Sequence, residues 1–277
     1  PPSPMTVLSA ISSEGFPGLS MQGLYDFTLQ FLILSLRIGS FLIAAPFFGS
    51  RSVVVTIRIV ATCALTFSLM DRVPALEISN MTNLILISIF LQEIIIGLCG
   101  GMVMTIMFSS VALAGEKIAS TSGLSFATQI DPNAGGTTPV VSQIFSLFLT
   151  TIFLSLDGHL TALALVIQSY ETFPIGPVAN LSVLFEAGGL AAENMFDSAT
   201  TIMLPIAAIM SMINIAIGII TRSAPTLNLF SFGFPITLVS IFVILFVSVP
   251  HLAAAFSDLT GQMLQALKFI LQGVEGG

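Results

Sequence analysis

The sequence predicts an all-α, polytopic integral membrane protein whose helices are kinked or broken. Hydrophobic residues make up 55% of its 277 residues and charged residues only 8%, against roughly 25% charged residues in an ordinary soluble domain. The mean hydropathy is +1.03. Because so little of this chain can cover itself with polar side chains, a bilayer or a large complex must surround most of its surface.

Apolar runs of membrane-spanning length are the second observation behind this prediction. A helix needs about 20 mostly apolar residues to cross the hydrocarbon core. The runs cover residues 27–48, 53–70, 84–114, 140–156 with a continuation to 170, 198–220 and 227–249. We expect one helix from each run. Pro205 and Pro235 lie within runs, and Pro46 lies at the end of the first, so several helices should be kinked or broken.

The segments between and after these runs differ in character. Residues 115–139 predict a long polar loop, and residues 173–177 predict a Pro/Gly-rich joint. Residues 252–272 predict an amphipathic helix, because apolar residues recur there at helical spacing. The apolar face consists of Leu252, Phe256, Leu259, Met263, Leu267 and Ile270.

Three charged residues, Arg37, Arg58 and Glu93, lie inside apolar runs. A charge at the centre of a bilayer costs roughly 2.5 to 3.5 kcal/mol on insertion scales, so each should be paired or face water. They are either ion pairs at contacts between helices or subunits, or the lining of a polar path. In both cases we expect them to be shielded from solvent in the assembled protein.

Small residues recur every four positions at Gly97, Gly101, Thr105 and Ser109. This spacing places them on one helix face, where another backbone can approach closely. The partner helix could belong to this chain or to another subunit, and the sequence alone leaves both open.

The composition excludes several classes of function. A net charge of −7 with seven dispersed basic residues offers no basic patch for nucleic acid. The HExxH, GxSxG, Walker A and GxGxxG patterns do not occur, and no cluster has metal-ligand spacing. Cys63 and Cys99 lie among aliphatic residues and should behave as small hydrophobes. We therefore expect no enzyme activity, no cofactor and no metal.

We interpret both histidines as structural residues at helix ends or junctions. Asp157 and His159 flank Gly158, and we interpret them as a polar break at a helix junction where the glycine permits the turn. His251 follows Pro250 and should be a residue at a helix end, near an interface.

Residues 115–139 are rich in Gly, Ser, Thr and Ala. Irregular backbone at membrane depth is tolerated only when protein surrounds it or when it lines a watery cavity. A constriction or lid and a plain external loop are equally consistent with this composition.

Four stretches of the sequence form a recognisable series. The first is APFFGSRSVVVTIRIVATCAL at 45–65, in which the short turn APFFGSR leads into the helix bearing Arg58. The others are GEKIASTSGLSFATQIDP at 115–132, LDGH with QSYETFPIG at 156–159 and 168–176, and TRSAPTLNLFSFGFP at 221–235. In this order they resemble the FliR family of flagellar type III export-gate proteins. Ala119, Thr121 and Ser122, just before GLSFA, depart from the glycine and Gln-Met pair common in the family.

The resemblance implies a fold that hydropathy does not show. It implies a FliP-like part over about 21–175 and a FliQ-like helical hairpin over about 178–277, within one domain at 21–277. Residues 1–20 are expected to be a disordered tail or partly a cloning remnant. It further implies one copy assembled with several copies of FliP and FliQ, with FlhB as a further partner.

The implied function is a channel in the bacterial inner membrane, at the flagellar basal body, that passes unfolded flagellar proteins. The loop formed by Ser122, Gly123, Leu124, Ser125 and Phe126 would be the pore plug. Lipid is the remaining expected contact. The alternatives are an injectisome homologue and, from a different class, a small-solute secondary transporter or ion channel, which broken helices and intramembrane charges also suit.

Overall fold

The computed structural model describes residues 21–50, 53–73, 83–123, 139–176, 181–224 and 232–272. Within these ranges the chain is helical and contains no strand, as the sequence predicts. The helices are α1 (Met21–Ala44), α2 (Val55–Leu69), α3 (Asn83–Thr121), α4 (Val140–Ser155), α5 (Gly158–Thr172), α6 (Leu181–Ser223) and α7 (Phe234–Gln272).

Four of these helices, α1, α3, α6 and α7, are long and apolar enough to cross a membrane. Helices α4 and α5 together are also apolar enough, but they meet at an angle of 65°. The shorter α2 has 15 residues. A polytopic membrane protein with a broken helix is therefore the architecture of the described part of the chain.

Helix α3 lies at the centre, in contact with α1, α4, α6 and α7. Its buried residues recur three or four positions apart on the faces that meet these neighbours. Phe145 of α4 meets Phe256 of α7 edge to face, with ring centroids 5.6 Å apart. One continuous apolar core results, built from large side chains such as Phe41 and Met107 and reaching every helix described.

The predicted loop at 115–139 begins later than expected. Gly115 to Thr121 form the last turns of α3, and Ile118 and Ala119 are fully buried there. A Cβ on Gly115 would lie 2.6 Å from Cα of Ser142, so the glycine lets α4 pack closely against α3. This tertiary contact extends the helix through a segment whose composition predicts a loop. Residues 124–138 lie outside the described residues.

Proline positions correspond only partly to the breaks in the helices. Pro205 lies within α6 and Pro250 within α7, and both helices continue through them. Pro235 is the second residue of α7, where its missing N–H would have no helical partner anyway. His251 is therefore inside a helix and not at a helix end. The amphipathic segment 252–272 is the second half of α7, continuous with the preceding apolar run.

Candidate functional site

A buried ion pair joins α1 to α3. Arg37 is 0% exposed and Glu93 1% exposed. Nε of Arg37 donates to Oε2 of Glu93 at 2.7 Å, and Nη2 donates to Oε1 at 2.8 Å. This bidentate arrangement matches the planar guanidinium to the planar carboxylate, which is the strongest form of such a pair.

Residues at the C-terminal end of α5 accept the remaining hydrogen bonds of the guanidinium. Nη1 of Arg37 donates to Oγ of Ser169 at 3.1 Å, and Nη2 donates to the carbonyl of Phe173 at 3.0 Å. The ring of Tyr170 lies 4.2 Å from Cζ of Arg37, and its hydroxyl donates to the carbonyl of Leu34 at 2.7 Å. A cation over an aromatic face gains further attraction when desolvated.

This Arg37–Glu93 site connects three helices through one side chain. A buried charge pair contributes little net stability unless its remaining hydrogen-bonding capacity is satisfied. Here Glu93, Ser169 and the carbonyl of Phe173 together accept four hydrogen bonds from the guanidinium. The arrangement fixes the relative positions of α1, α3 and the end of α5.

Arg58 does not join the Arg37–Glu93 site. It is half-buried on α2, and its Nη2 donates to the carbonyls of Ser50, at 2.5 Å, and Val53, at 2.9 Å. Its Nε is buried without a hydrogen-bond partner among the described residues. Arg58 therefore holds the turn between α1 and α2, while its place in an assembly stays a prediction.

The four small residues divide between two environments. A Cβ on Gly97 would collide with Oγ of Ser40 and the carbonyl of Arg37, and a Cβ on Gly101 would lie 2.6 Å from Cβ of Ala44. Oγ1 of Thr105 donates to the carbonyl of Ala44 at 2.6 Å. These three positions face α1 of the same chain. Ser109 is exposed and donates to the carbonyl of Thr105 at 2.8 Å.

The end of α3 is fixed by α6. Nδ2 of Asn214 donates to the carbonyl of Thr121 at 2.8 Å, and Ser122 is buried with its Oγ bonded to the carbonyl of Ala119. Gly123 has a φ of +78°, the left-handed conformation that favours glycine after a helix. Leu124, Ser125 and Phe126 of the predicted plug lie outside the described residues.

The bend between α4 and α5 lies at Asp157, which adopts a φ of +53°. Gly158 is already helical. A Cβ there would lie 2.6 Å from the ring of Phe153, so this glycine provides space and not the turn itself. The imidazole of His159 lies 6.3 Å from the ring of Phe47, and its buried Nδ1 has no hydrogen-bond partner among the residues described. The sequence interpretation assigned the turn to the wrong residue.

Sequence reasoning missed the acceptors and the aromatic ring around Arg37. Ser169, Tyr170 and Phe173 lie in the segment QSYETFPIG, but no pattern there assigns them to a guanidinium 132 or more residues away. Asn214, in the middle of an apolar run, was the one available signal for a polar contact at the end of α3. No group of three metal-ligating side chains occurs in the part of the chain that the structure describes.

The fold defines a class of protein, a polytopic helical membrane protein, and comparison with a known family adds bacterial export to it. A model of the family "Bacterial export proteins, family 1" matches residues 28–263. This span includes Arg37, Glu93 and the three α5-end residues that contact Arg37.

Similar proteins of known name narrow this class to flagellar export. The chain is 32% identical over 203 residues to the flagellar biosynthetic protein FliR of Escherichia coli strain K12, covering 73% of this chain and 77% of that one. It is 32% identical to FliR of Pectobacterium carotovorum, covering 76% and 80%. It is 27% identical to FliR of Bacillus subtilis strain 168, covering 91% and 98%. The chain belongs to the FliR family, and it is a membrane component of flagellar protein export.

Proposed function

We propose that this chain is a subunit of the flagellar export gate in the bacterial inner membrane. With several copies of FliP and FliQ it forms the channel through which unfolded flagellar proteins cross. FlhB is a further partner. Residues 21–175 provide the FliP-like part and residues 178–277 the FliQ-like hairpin, of which α6 and α7 are the two arms.

The observation that carries this proposal is the apolar surface that the chain leaves uncovered, taken together with its family. In the most apolar stretches of α6 and α7, only 22% and 17% of the residues are buried by the chain itself. Large apolar patches of this kind mark surfaces that contact lipid or other proteins. The most exposed large side chains on these two helices include Phe185, Met212, Phe246 and Val247.

The buried Arg37–Glu93 site also supports this proposal, because it fixes the angles between helices that would contact other subunits. A free-standing bundle in lipid gains little from a costly buried charge pair. A subunit that must present several helix faces at defined angles gains a fixed geometry. The flagellar names of the relatives favour the flagellar export gate over the injectisome homologue.

Co-production tests the proposal. The chain is produced alone and with FliP and FliQ, extracted in mild detergent, and analysed by size-exclusion chromatography. We expect aggregation alone and a defined complex containing all three proteins together, because subunit contacts cover the apolar faces. A well-behaved monomer or homo-oligomer that is unchanged by FliP and FliQ would instead indicate a transporter or channel.

We propose further that the loop containing Ser122 to Phe126 closes the resting channel. Support comes from the composition of the loop and from the family resemblance. The loop also follows directly after the end of α3, which the hydrogen bond from Asn214 to Thr121 holds in place. Deleting residues 123–126 should leave the complex assembled but make cells leaky to ions or small solutes. A tight deletion mutant would contradict this role.

Thiol labelling provides an independent test of the loop. In a background with Cys63→Ala and Cys99→Ala, a cysteine placed by Ser125→Cys should react faster with a membrane-impermeant reagent during active export than at rest. Ser155→Cys, exposed at the end of α4, is the matched control and should label equally in both states. If the cysteine at position 125 also reacts at the same rate during active export and at rest, the loop is an ordinary connector.

A further inference from the structure

Helix α7 has two halves that differ in how far the chain itself buries them. In residues 234–249, here called the free half, Ile241 is the one buried apolar residue. Residues 252–271, here called the anchored half, bury an apolar side chain on almost every turn. These residues are Leu252, Phe256, Leu259, Met263, Leu267, Ile270 and Leu271.

Contacts with three other helices hold the anchored half in place. Phe256 meets Phe148 of α4 edge to face, with ring centroids 5.4 Å apart. The side chain of Leu271 packs over Gly100 of α3, with Cδ2 3.5 Å from where a Cβ of that glycine would lie. Oγ1 of Thr172, at the end of α5, donates to the carbonyl of Leu271 at 2.9 Å. This bond satisfies one of the last carbonyls of α7, which have no donor within the helix.

Pro250 lies at the joint between the two halves, and α7 stays helical through it. Because proline has no N–H, the carbonyl of Phe246, four residues earlier, lacks its helical donor, and the proline ring crowds that carbonyl. Sharp bends in helices occur at prolines for this reason. The helix is therefore weakest at the position where its burial changes.

Helix α6 does not brace the joint from the side. A gap of about 360 Å³ separates α6 from α7 there, and it begins at His251, the residue after Pro250. Thr201 and Ile202 line the gap on the α6 side. The side chain of His251 is exposed, so a bend at Pro250 breaks no close contact of this residue with α6.

Helix α6 contains a proline of its own but no such change in burial. Ile202 and Ile206 are buried on either side of Pro205. Further along α6, Asn214 donates to the carbonyl of Thr121 on α3 at 2.8 Å. A bend at Pro205 would have to break buried contacts, whereas a bend at Pro250 would not. Pro205 therefore serves as an internal control for Pro250.

We propose that α7 pivots at Pro250, so that its free half moves as one helix while the anchored half stays fixed, and that this movement accompanies opening of the export gate. The link to opening rests on the proposed function. Segments with few buried apolar contacts move at low free-energy cost. A bend of about 20° would move Val239, about 16 Å along the helix from Pro250, by about 6 Å.

Distances between pairs of spin labels test the pivot in the complex co-produced with FliP and FliQ. In a background with Cys63→Ala and Cys99→Ala, one label is attached through Ser155→Cys at the end of α4. The second is attached through Val239→Cys, since Val239 is 65% exposed on the free half. In the control pair, Gln265→Cys, at an exposed position of the anchored half, takes its place. The distance distribution to position 239 should be wider than that to position 265 by about 6 Å. Equal widths would overturn the proposal.

Replacing the proline tests where the pivot lies and what it does. Pro250→Ala restores the missing N–H donor, so the distribution to position 239 should narrow to the width of the control pair. Secretion of flagellar proteins by cells should fall at least about fivefold, with the yield of complex unchanged. Pro205→Ala should leave the distribution unchanged and secretion within about twofold of normal. If Pro250→Ala leaves the distribution wide, or if Pro205→Ala has the same effects, the pivot at Pro250 is refuted. Normal secretion with a narrowed distribution would refute its link to gate opening.

The unaltered chain distinguishes failure of this inference from failure of the proposed function. If the chain co-purifies with FliP and FliQ but both label pairs give equally narrow distributions, the export-gate proposal stands and the pivot falls. If the chain instead purifies as a monomer or homo-oligomer, the same labels are measured in that form. A wide distribution that Pro250→Ala narrows would then support the pivot, while the export-gate proposal falls.

Discussion

Removing Glu93 should be among the most damaging single changes in the described core. Glu93→Ala leaves the guanidinium of Arg37 fully buried and without its carboxylate, although Oγ of Ser169 and the carbonyl of Phe173 still accept from it. Two charge-assisted hydrogen bonds of 2.7 and 2.8 Å are lost. Breaking a buried pair by removing one partner costs roughly 3 to 5 kcal/mol, mainly because the remaining charge is stranded.

That free energy corresponds to a measurable loss of thermal stability. For chains of this approximate size, 1 kcal/mol shifts the melting temperature by about 2 to 4 °C, so the expected fall in apparent Tm is about 6 to 20 °C. The double variant Arg37→Met/Glu93→Leu removes both charges together and should lose less than Glu93→Ala alone. This non-additive result is the signature of a coupled pair.

The assay is the fraction of intact complex that remains after heating, measured by size-exclusion chromatography in detergent. Glu116→Ala is the matched control, because Glu116 lies on the same helix α3 and is exposed. Its Tm should match that of the unaltered complex within about 2 °C, since surface substitutions change stability by about 0.5 kcal/mol or less. If Glu93→Ala lowers Tm no more than Glu116→Ala does, the ion pair is not coupled to the fold.

Three further substitutions and one control test the Arg37–Glu93 pair and two other contacts of the helices. Arg37→Lys keeps the charge but cannot reproduce the fork of hydrogen bonds, so we expect a Tm below that of the unaltered complex but above that of Glu93→Ala. Gly97→Ala forces α1 away from α3 and should cost about 1 to 3 kcal/mol, whereas Gly218→Ala, with nothing within 4 Å of the added Cβ, should be neutral or stabilising in the same melting assay. Arg58→Ala should lower assembly yield by freeing the turn between α1 and α2; normal yield and motility would show that Arg58 is not needed there.

Much of the fold could be predicted from the sequence because it depends on local hydropathy. Apolar runs marked each membrane-length helix of the described residues, and the isolated charges Arg37 and Glu93 marked positions that could not face lipid. The spacing of Gly97 and Gly101 likewise indicated a close helix contact. These inferences need only the free energy of moving side chains between water and an apolar medium, which each residue carries with it.

The partners of those residues were decided by tertiary structure alone. Glu93 is 56 residues from Arg37, and Ser169 is 132 residues away, and no local pattern records such distances. The end of α3 also depended on contacts with α4, where Gly115 packs against Ser142, and with α6, where Asn214 donates to the carbonyl of Thr121. Hydropathy therefore determined that the chain enters a membrane and which charges need shielding. Only the packing of α1, α3 and α5 determined what shields them, because hydrogen bonds require specific atoms within about 3 Å.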